Sequence, residues 1–148
     1  MPHSQITPLR QSRDNCRNCR LASLCLPETL REEEVNQLDS IIQRRRPIER
    51  GETLFRTGSG FNAIYAVRTG ALKTSTLLPN GDEHIAGFHL PGEIIGLDAI
   101  NFRTHPSTAV ALETTTICEV PCGDLERLTT SNPVLQRLLV RIMSRELF

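Results

Sequence analysis

Between residues 44 and 120 the chain is cut at short intervals by Gly51, Gly58, Gly60, Gly70, Gly81, Gly92 and Gly96. The runs between these glycines are rich in Ile, Val, Leu, Phe and Thr, side chains that suit a pleated surface. Short strands joined by such turns suggest an antiparallel sandwich or roll. Asn80-Gly81, set between Leu77-Leu78 and Ile85, predicts a type I′ hairpin. From Thr108 to Val120 the pattern reads as one longer strand, with Val110, Leu112, Cys118 and Val120 on one face by the period of two.

Helical signals flank this region. Residues 29–42 read as a helix, with Thr29 as N-cap, Glu32 completing a capping box and Glu33 and Glu34 adding acid to the early turns. Leu30, Val35, Leu38, Ile41 and Ile42 form its apolar stripe, and Pro47 ends any continuation. A short helix is expected over 123–130. Pro133 suits the first position of another, whose apolar side is Leu135, Leu138, Leu139, Ile142 and Met143. That helix is still running at Phe148 without a cap, which suggests a chain cut inside an element that continues in a longer parent.

At 148 residues the chain is one domain's worth. Its 17 basic and 17 acidic side chains cancel, which argues against holding nucleic acid by bulk charge. Met1–Cys16 has no continuous apolar run that would read as a signal peptide, and no apolar stretch approaches a membrane span. We therefore expect a cytoplasmic protein with no membrane partner, in a compartment where thiols stay reduced.

In that setting the five cysteines, Cys16, Cys19, Cys25, Cys118 and Cys122, do not read as a disulfide framework. Residues 1–27 hold no helical or strand period and carry Arg10, Arg13, Arg17 and Arg20 against Asp14. The spacing Cys16-x2-Cys19-x5-Cys25 puts three thiols on one short loop, and the segment 12–20 is too polar to bury Cys16 or Cys19 as core. Such a loop can wrap tetrahedral zinc or an iron–sulfur cluster, and spacing alone does not choose between them. A fourth thiolate is available from Cys118 or Cys122. Taken alone, Cys122 reads as an ordinary buried cysteine. Arg17 and Arg20 would favour the dianion formed by four thiolates around a 4Fe–4S core, or are simply solvated.

Three segments, Gly51-Glu52-Thr53-Leu54-Phe55, Ile64-Tyr65-Ala66-Val67-Arg68-Thr69-Gly70 and Gly92-Glu93-Ile94-Ile95-Gly96, resemble the cyclic-nucleotide-binding β-roll of the cyclic AMP receptor protein superfamily. The resemblance implies a mainly β fold: an antiparallel jelly roll with flanking helices and the start of a dimerisation helix. In that family a Glu holds the ribose hydroxyl and an Arg-Ser or Arg-Thr pair holds the cyclic phosphate. Here Leu97-Asp98 and Pro106-Ser107 stand in those places. Proline has neither charge nor N–H, so no cyclic nucleotide is expected to bind.

Cys16-Arg17-Asn18-Cys19, Leu24-Cys25-Leu26-Pro27, Gly87-Phe88-His89-Leu90, Ala111-Leu112-Glu113-Thr114 and Cys118-Glu119-Val120-Pro121 narrow the resemblance to the FNR subfamily of anaerobic transcription regulators, over about residues 16–147. The resemblance implies an oxygen sensor in which Cys16, Cys19, Cys25 and Cys118 hold a 4Fe–4S cluster, and oxygen costs the active dimer. It divides the chain into a cysteine-rich cluster-binding segment (1–27), a β-roll sensory domain (28–132) and the start of a dimerisation helix (133–148). The implied partners are a second copy, through the helix beginning near Pro133, and promoter DNA and RNA polymerase for the full-length parent. The resemblance implies that the helix-turn-helix domain that would touch DNA is not expected within these residues. Cys122 departs from the bulky apolar residue usual in that subfamily.

Two other readings compete. One is a ligand-sensing roll of the same superfamily whose cysteines hold a structural zinc. The other is an enzyme, but the sequence holds no nucleophile motif, no phosphate-gripping glycine loop and no HExxH. His3, His84, His89 and His105 lack tight ligand spacing and are expected in surface or core roles. The turn from Pro79 to His84 is the candidate polymerase-contacting loop.

Overall fold

The computed structural model describes residues 31–145. The segment expected to bind the cluster, the proposed cap Thr29 and the stripe residue Leu30 lie outside the described residues. Helix α1 spans Glu32–Ile41, and its N-cap is Arg31, in extended backbone. Glu34 Oε1 accepts the Arg31 backbone N–H at 3.0 Å. The acid side of the capping box is thus Glu34 rather than Glu32, because the N-cap is Arg31, two positions beyond the expected Thr29.

Eight antiparallel strands follow among the described residues: β1 (Gln43–Arg44), β2 (Thr53–Phe55), β3 (Ala63–Thr69), β4 (Leu72–Leu77), β5 (Glu83–His89), β6 (Ile94–Ile95), β7 (Thr108–Ala111) and β8 (Thr116–Pro121). They form two four-stranded sheets, ordered β1-β8-β3-β6 and β2-β7-β4-β5. The inner core takes Ala63, Tyr65, Val67, Ile95 and Ile117 from the first sheet and Phe55, Leu72, Ala109 and Ala111 from the second. The expected jelly-roll sandwich is therefore the architecture observed. Val67, Leu72 and Ile117 are fully buried, each stabilising the fold by about 1.5–3 kcal/mol.

The first sheet is also covered on its outer face. Ile64 and Val120 project there, packed with Phe61, Ala99, Ile41, Ile42 and Leu125. Burial on both faces explains why β3 reads as a nearly continuous apolar run instead of an alternating one. The outer layer includes α2 (Cys122–Ser131), which packs against both α1 and α3 (Pro133–Arg145). Asn132 caps α3 by accepting the N–H groups of Val134 and Leu135 at 3.0 and 3.3 Å, with Pro133 in the first helical position. Its amide also donates to Gln37 Oε1 of α1 at 2.8 Å, tying the two helices together. Leu135 and Leu138 face inward, whereas Met143, expected on that apolar side, is 40% exposed.

Two strand expectations are corrected. The 108–120 segment is not one strand: β7 belongs to the second sheet and β8 to the first, so the chain changes sheets between them. The crossing is pinned by Thr115, which is fully buried. Its hydroxyl donates to the carbonyls of Ala71 and Glu113, and its backbone exchanges two 2.8 Å bonds with Ile48. Cys118 and Val120 still share a face, but Val110 and Leu112 do not continue it. The β4–β5 turn is also not type I′, which needs positive φ at both central residues. Only Gly81 has positive φ there (90°), and the Gly81 N–H bonds to the Leu78 carbonyl at 2.8 Å. Pro79 holds the first central residue at negative φ, which favours a three-residue loop closed by a left-handed glycine.

Candidate metal centre

Of the four residues expected to hold a cluster, Cys118 is described; Cys16, Cys19 and Cys25 lie outside the described residues. Among the described residues no three His, Cys, Asp or Glu side chains converge as a metal site, so Cys118 would be one contributor to a shared centre. β8 places it on the outer face of the first sheet, because Ile117, its neighbour, points into the inner core. Cys118 lies opposite Arg44 of β1 and Ala66 of β3, and Ala66 lies opposite Ile94 of β6. One row thus crosses all four strands: Arg44, Cys118, Ala66, Ile94. Cys118 is 8% exposed and is bonded to no other cysteine among the described residues.

Arg44 was not foreseen as part of this neighbourhood. It sits in the basic run Arg44-Arg45-Arg46. Yet its side chain is 15% exposed, against 49% for Arg45. Its Nε and Nη2 are buried without a hydrogen-bond partner among the described residues. A 3.5 Å ion pair links Nη2 to Asp39 of α1. Arg45 turns instead to Glu119, 3.2 Å away. The only sequence signal was the alternation of a two-residue strand, too short to read.

Cys122 has different surroundings. It opens α2, its backbone N–H bonds to the Asn62 carbonyl at 2.8 Å, and its side chain packs at the border of the outer cluster. Its thiol donates to Glu126 Oε1 at 3.7 Å. Burial pushes the thiol pKa up, and the Glu126 charge and hydrogen bond push it further, against a smaller opposing effect of Arg103. Both effects disfavour the thiolate, which is the form that ligates metal.

The nucleotide cassette begins at Gly96, whose φ of 98° is left-handed, and continues through a single 3-10 turn, Leu97–Ala99. Between Gly96 and Thr108 the one arginine is Arg103, which is exposed. Ser107, beside Pro106, is buried. On β4 and β5, Thr74 Oγ1 lies 3.0 Å from His89 Nε2, and His89 Nδ1 lies 3.6 Å from Glu93. Burial lowers the His89 pKa, opposed by the charges of Glu93 and Asp98. His105 is a core aromatic, stacked 3.8 Å from Phe55, and His84 is exposed. His3 lies outside the described residues.

The β4–β5 hairpin projects Leu77 (77% exposed) and Phe88 (57%) into solvent. On α3, Val140 is 60% exposed and shares a helix side with Met143, three residues on.

Residues 45–132 match the family model of the cyclic nucleotide-binding domain. The chain is 50% identical over 133 residues to the transcriptional activator protein Anr of Pseudomonas protegens, covering 90% of this chain and 54% of that protein. It is 45% identical over 133 residues to the fumarate and nitrate reduction regulatory protein of Escherichia coli, covering 90% and 53%. The crystal structure of the Thermus thermophilus catabolite activator protein superposes with a TM-score of 0.70 at 26% identity, over 81% of this chain and 56% of that one. The chain spans about half the length of the regulators it matches.

Proposed function

The chain belongs to the CRP/FNR superfamily, with a cyclic nucleotide-binding domain fold, and from that premise we propose that it is the oxygen-sensing part of an anaerobic transcription regulator. In this reading Cys16, Cys19, Cys25 and Cys118 hold a 4Fe–4S cluster. The observation that carries it is the position of Cys118: shielded, on the outer face of the sheet, directly opposite a half-buried arginine with two buried nitrogens lacking hydrogen-bond partners among the described residues. That neighbourhood suits an anionic group, whereas Cys122 is bonded to a carboxylate. Five residues, and so six Cα-to-Cα steps, separate Cys25 from Arg31. Extended, they reach about 20 Å, more than the roughly 15 Å length of a ten-residue helix such as α1. The chain between Cys25 and α1 is therefore long enough for Cys25 to reach the sheet.

Bound there, a 4Fe–4S cluster supplies oxygen-sensitive redox chemistry. The chain's own residues couple the site to association. Gln37 of α1 is bonded to Asn132, the cap of α3, so the entry helix and the proposed dimerisation helix are held in one unit. Val140 and Met143 leave an apolar edge on α3 for a second copy. The parent protein would add promoter DNA and RNA polymerase as partners, the latter through loops such as the exposed turn after β4. No helix among the described residues is long and apolar enough to cross a membrane, and we place the protein in the cytoplasm, where the thiols stay reduced.

Cyclic nucleotide is not the signal in this reading. Pro106 stands where the phosphate-pairing arginine belongs, and Glu93 and Asp98 crowd His89 with negative charge. The test is exposure to air: the chain reconstituted anaerobically with iron and sulfide should be brown and should bleach when oxygen is admitted. A colour that survives air would remove the sensing role.

A further inference from the structure

We infer that Arg44 is the counter-charge of the metal centre, a positioning residue that stabilises the anionic cluster from the sheet side. The inference rests on the reading of Cys118 as a cluster ligand and adds a residue to that site. Directly opposed residues of an antiparallel pair project to the same face with their Cβ atoms about 5 Å apart, and Arg44 is the partner of Cys118 in that register.

The guanidinium carries five N–H donors and cannot lose its charge. Two of its nitrogens are buried with no hydrogen-bond acceptor among the described residues, and its ion pair to Asp39 is long, at 3.5 Å. A buried, under-satisfied cation destabilises a fold unless an anion offsets it. Glu119, the next acid along β8, is occupied by Arg45. Four thiolates around a 4Fe–4S core leave a dianion on the face that Arg44 shares with Cys118. The same charge that is costly in the metal-free chain then stabilises the loaded one. Charge next to a cluster also sets its reduction potential.

The experiment uses the whole chain, reconstituted anaerobically with ferrous iron and sulfide, with Arg44→Met, Arg44→Lys and Asp39→Asn. Three quantities are read: iron loss to a ferrous chelator, cluster midpoint potential, and urea midpoint of the metal-free form. Arg44→Met should lose iron about tenfold faster, in the range typical of outer-shell changes at metal sites. Its potential should fall, its metal-free form should be no less stable than the parent, and Arg44→Lys should restore most of both losses. Unchanged iron retention and potential in Arg44→Met would overturn the inference. So would a drop in metal-free stability with the potential unmoved, which marks a merely structural role. If Arg44→Met does not fold, Asp39→Asn decides: freed of its competing carboxylate, Arg44 should slow iron loss, and faster loss overturns the inference. Failure of the unsubstituted chain to take up iron and sulfide would instead sink the ligand assignment, and this inference with it.

Discussion

Cys118 and Cys122 lie four residues apart and both belong to the outer layer of the first sheet, yet their surroundings have opposite sign. Cys118, on β8, faces a buried guanidinium across the strand pair. Cys122, at the start of α2, donates its proton to the Glu126 carboxylate. A helix N-terminus ordinarily favours a thiolate; here burial and an acid one turn on reverse that preference. Spacing alone leaves both thiols available as a fourth ligand; in the proposed reading local charge makes the choice, because the ligating form is the anion.

The largest expected effect comes from removing one or the other sulfur. Cys118→Ser should abolish iron retention in the anaerobic chain, while Cys122→Ser should leave iron and sulfide content unchanged. Iron analysis giving the reverse pattern would invert the assignment of the fourth ligand.

Next in size is the ordering of the thiol loop. Fixing a residue's backbone costs about 1–2 kcal/mol, and Leu21, Leu24 and Leu26 are the only large apolar side chains in residues 12–27. Metal binding should supply the remainder. Hydrogen exchange across residues 12–27 should therefore slow strongly on loading, while β3 and β4 exchange alike in both forms. Equal protection of the loop with and without metal would mean that something else orders it.

A smaller effect is expected at Cys122. Burial raises the Cys122 thiol pKa most, and Glu126→Gln removes the charge that raises it further. The thiolate fraction at about pH 8 should then rise, since each unit of pKa is worth tenfold in that fraction. Peptide-mapped alkylation of Cys122 should accelerate several-fold in the metal-free chain. No acceleration would show that burial alone, the larger cause, protects this thiol. The smallest expected effect is none at all. Cyclic AMP titrated into the chain should give no binding heat, and micromolar affinity would move the sensing role from the outer face to the cassette.

Much of this architecture was readable because it rests on local rules. The glycine punctuation, the Asn132-Pro133 helix start and the alternation that sends Ile117 and Cys118 to opposite faces all depend on near neighbours. The 108–120 segment was misread because both of its halves have strand character. What divides them is a tertiary bond, from the buried Thr115 hydroxyl to Ala71, which is 44 residues away. The turn at Asn80-Gly81 was mistyped because Pro79 overrode the dipeptide signal. Within the candidate site, Cys118 is named only through the family pattern. The placements of Arg44 beside Cys118 and of Glu126 beside Cys122 are not legible in the sequence, because each depends on strand register or helix geometry.

The central claim is that these cysteines hold an iron–sulfur centre and not zinc. Metal and acid-labile sulfide analysis of the anaerobically purified chain, with its visible spectrum, tests it most directly. The account predicts a brown protein with broad charge-transfer absorption and iron and sulfide in equal amounts. A colourless protein carrying zinc and no sulfide would contradict it.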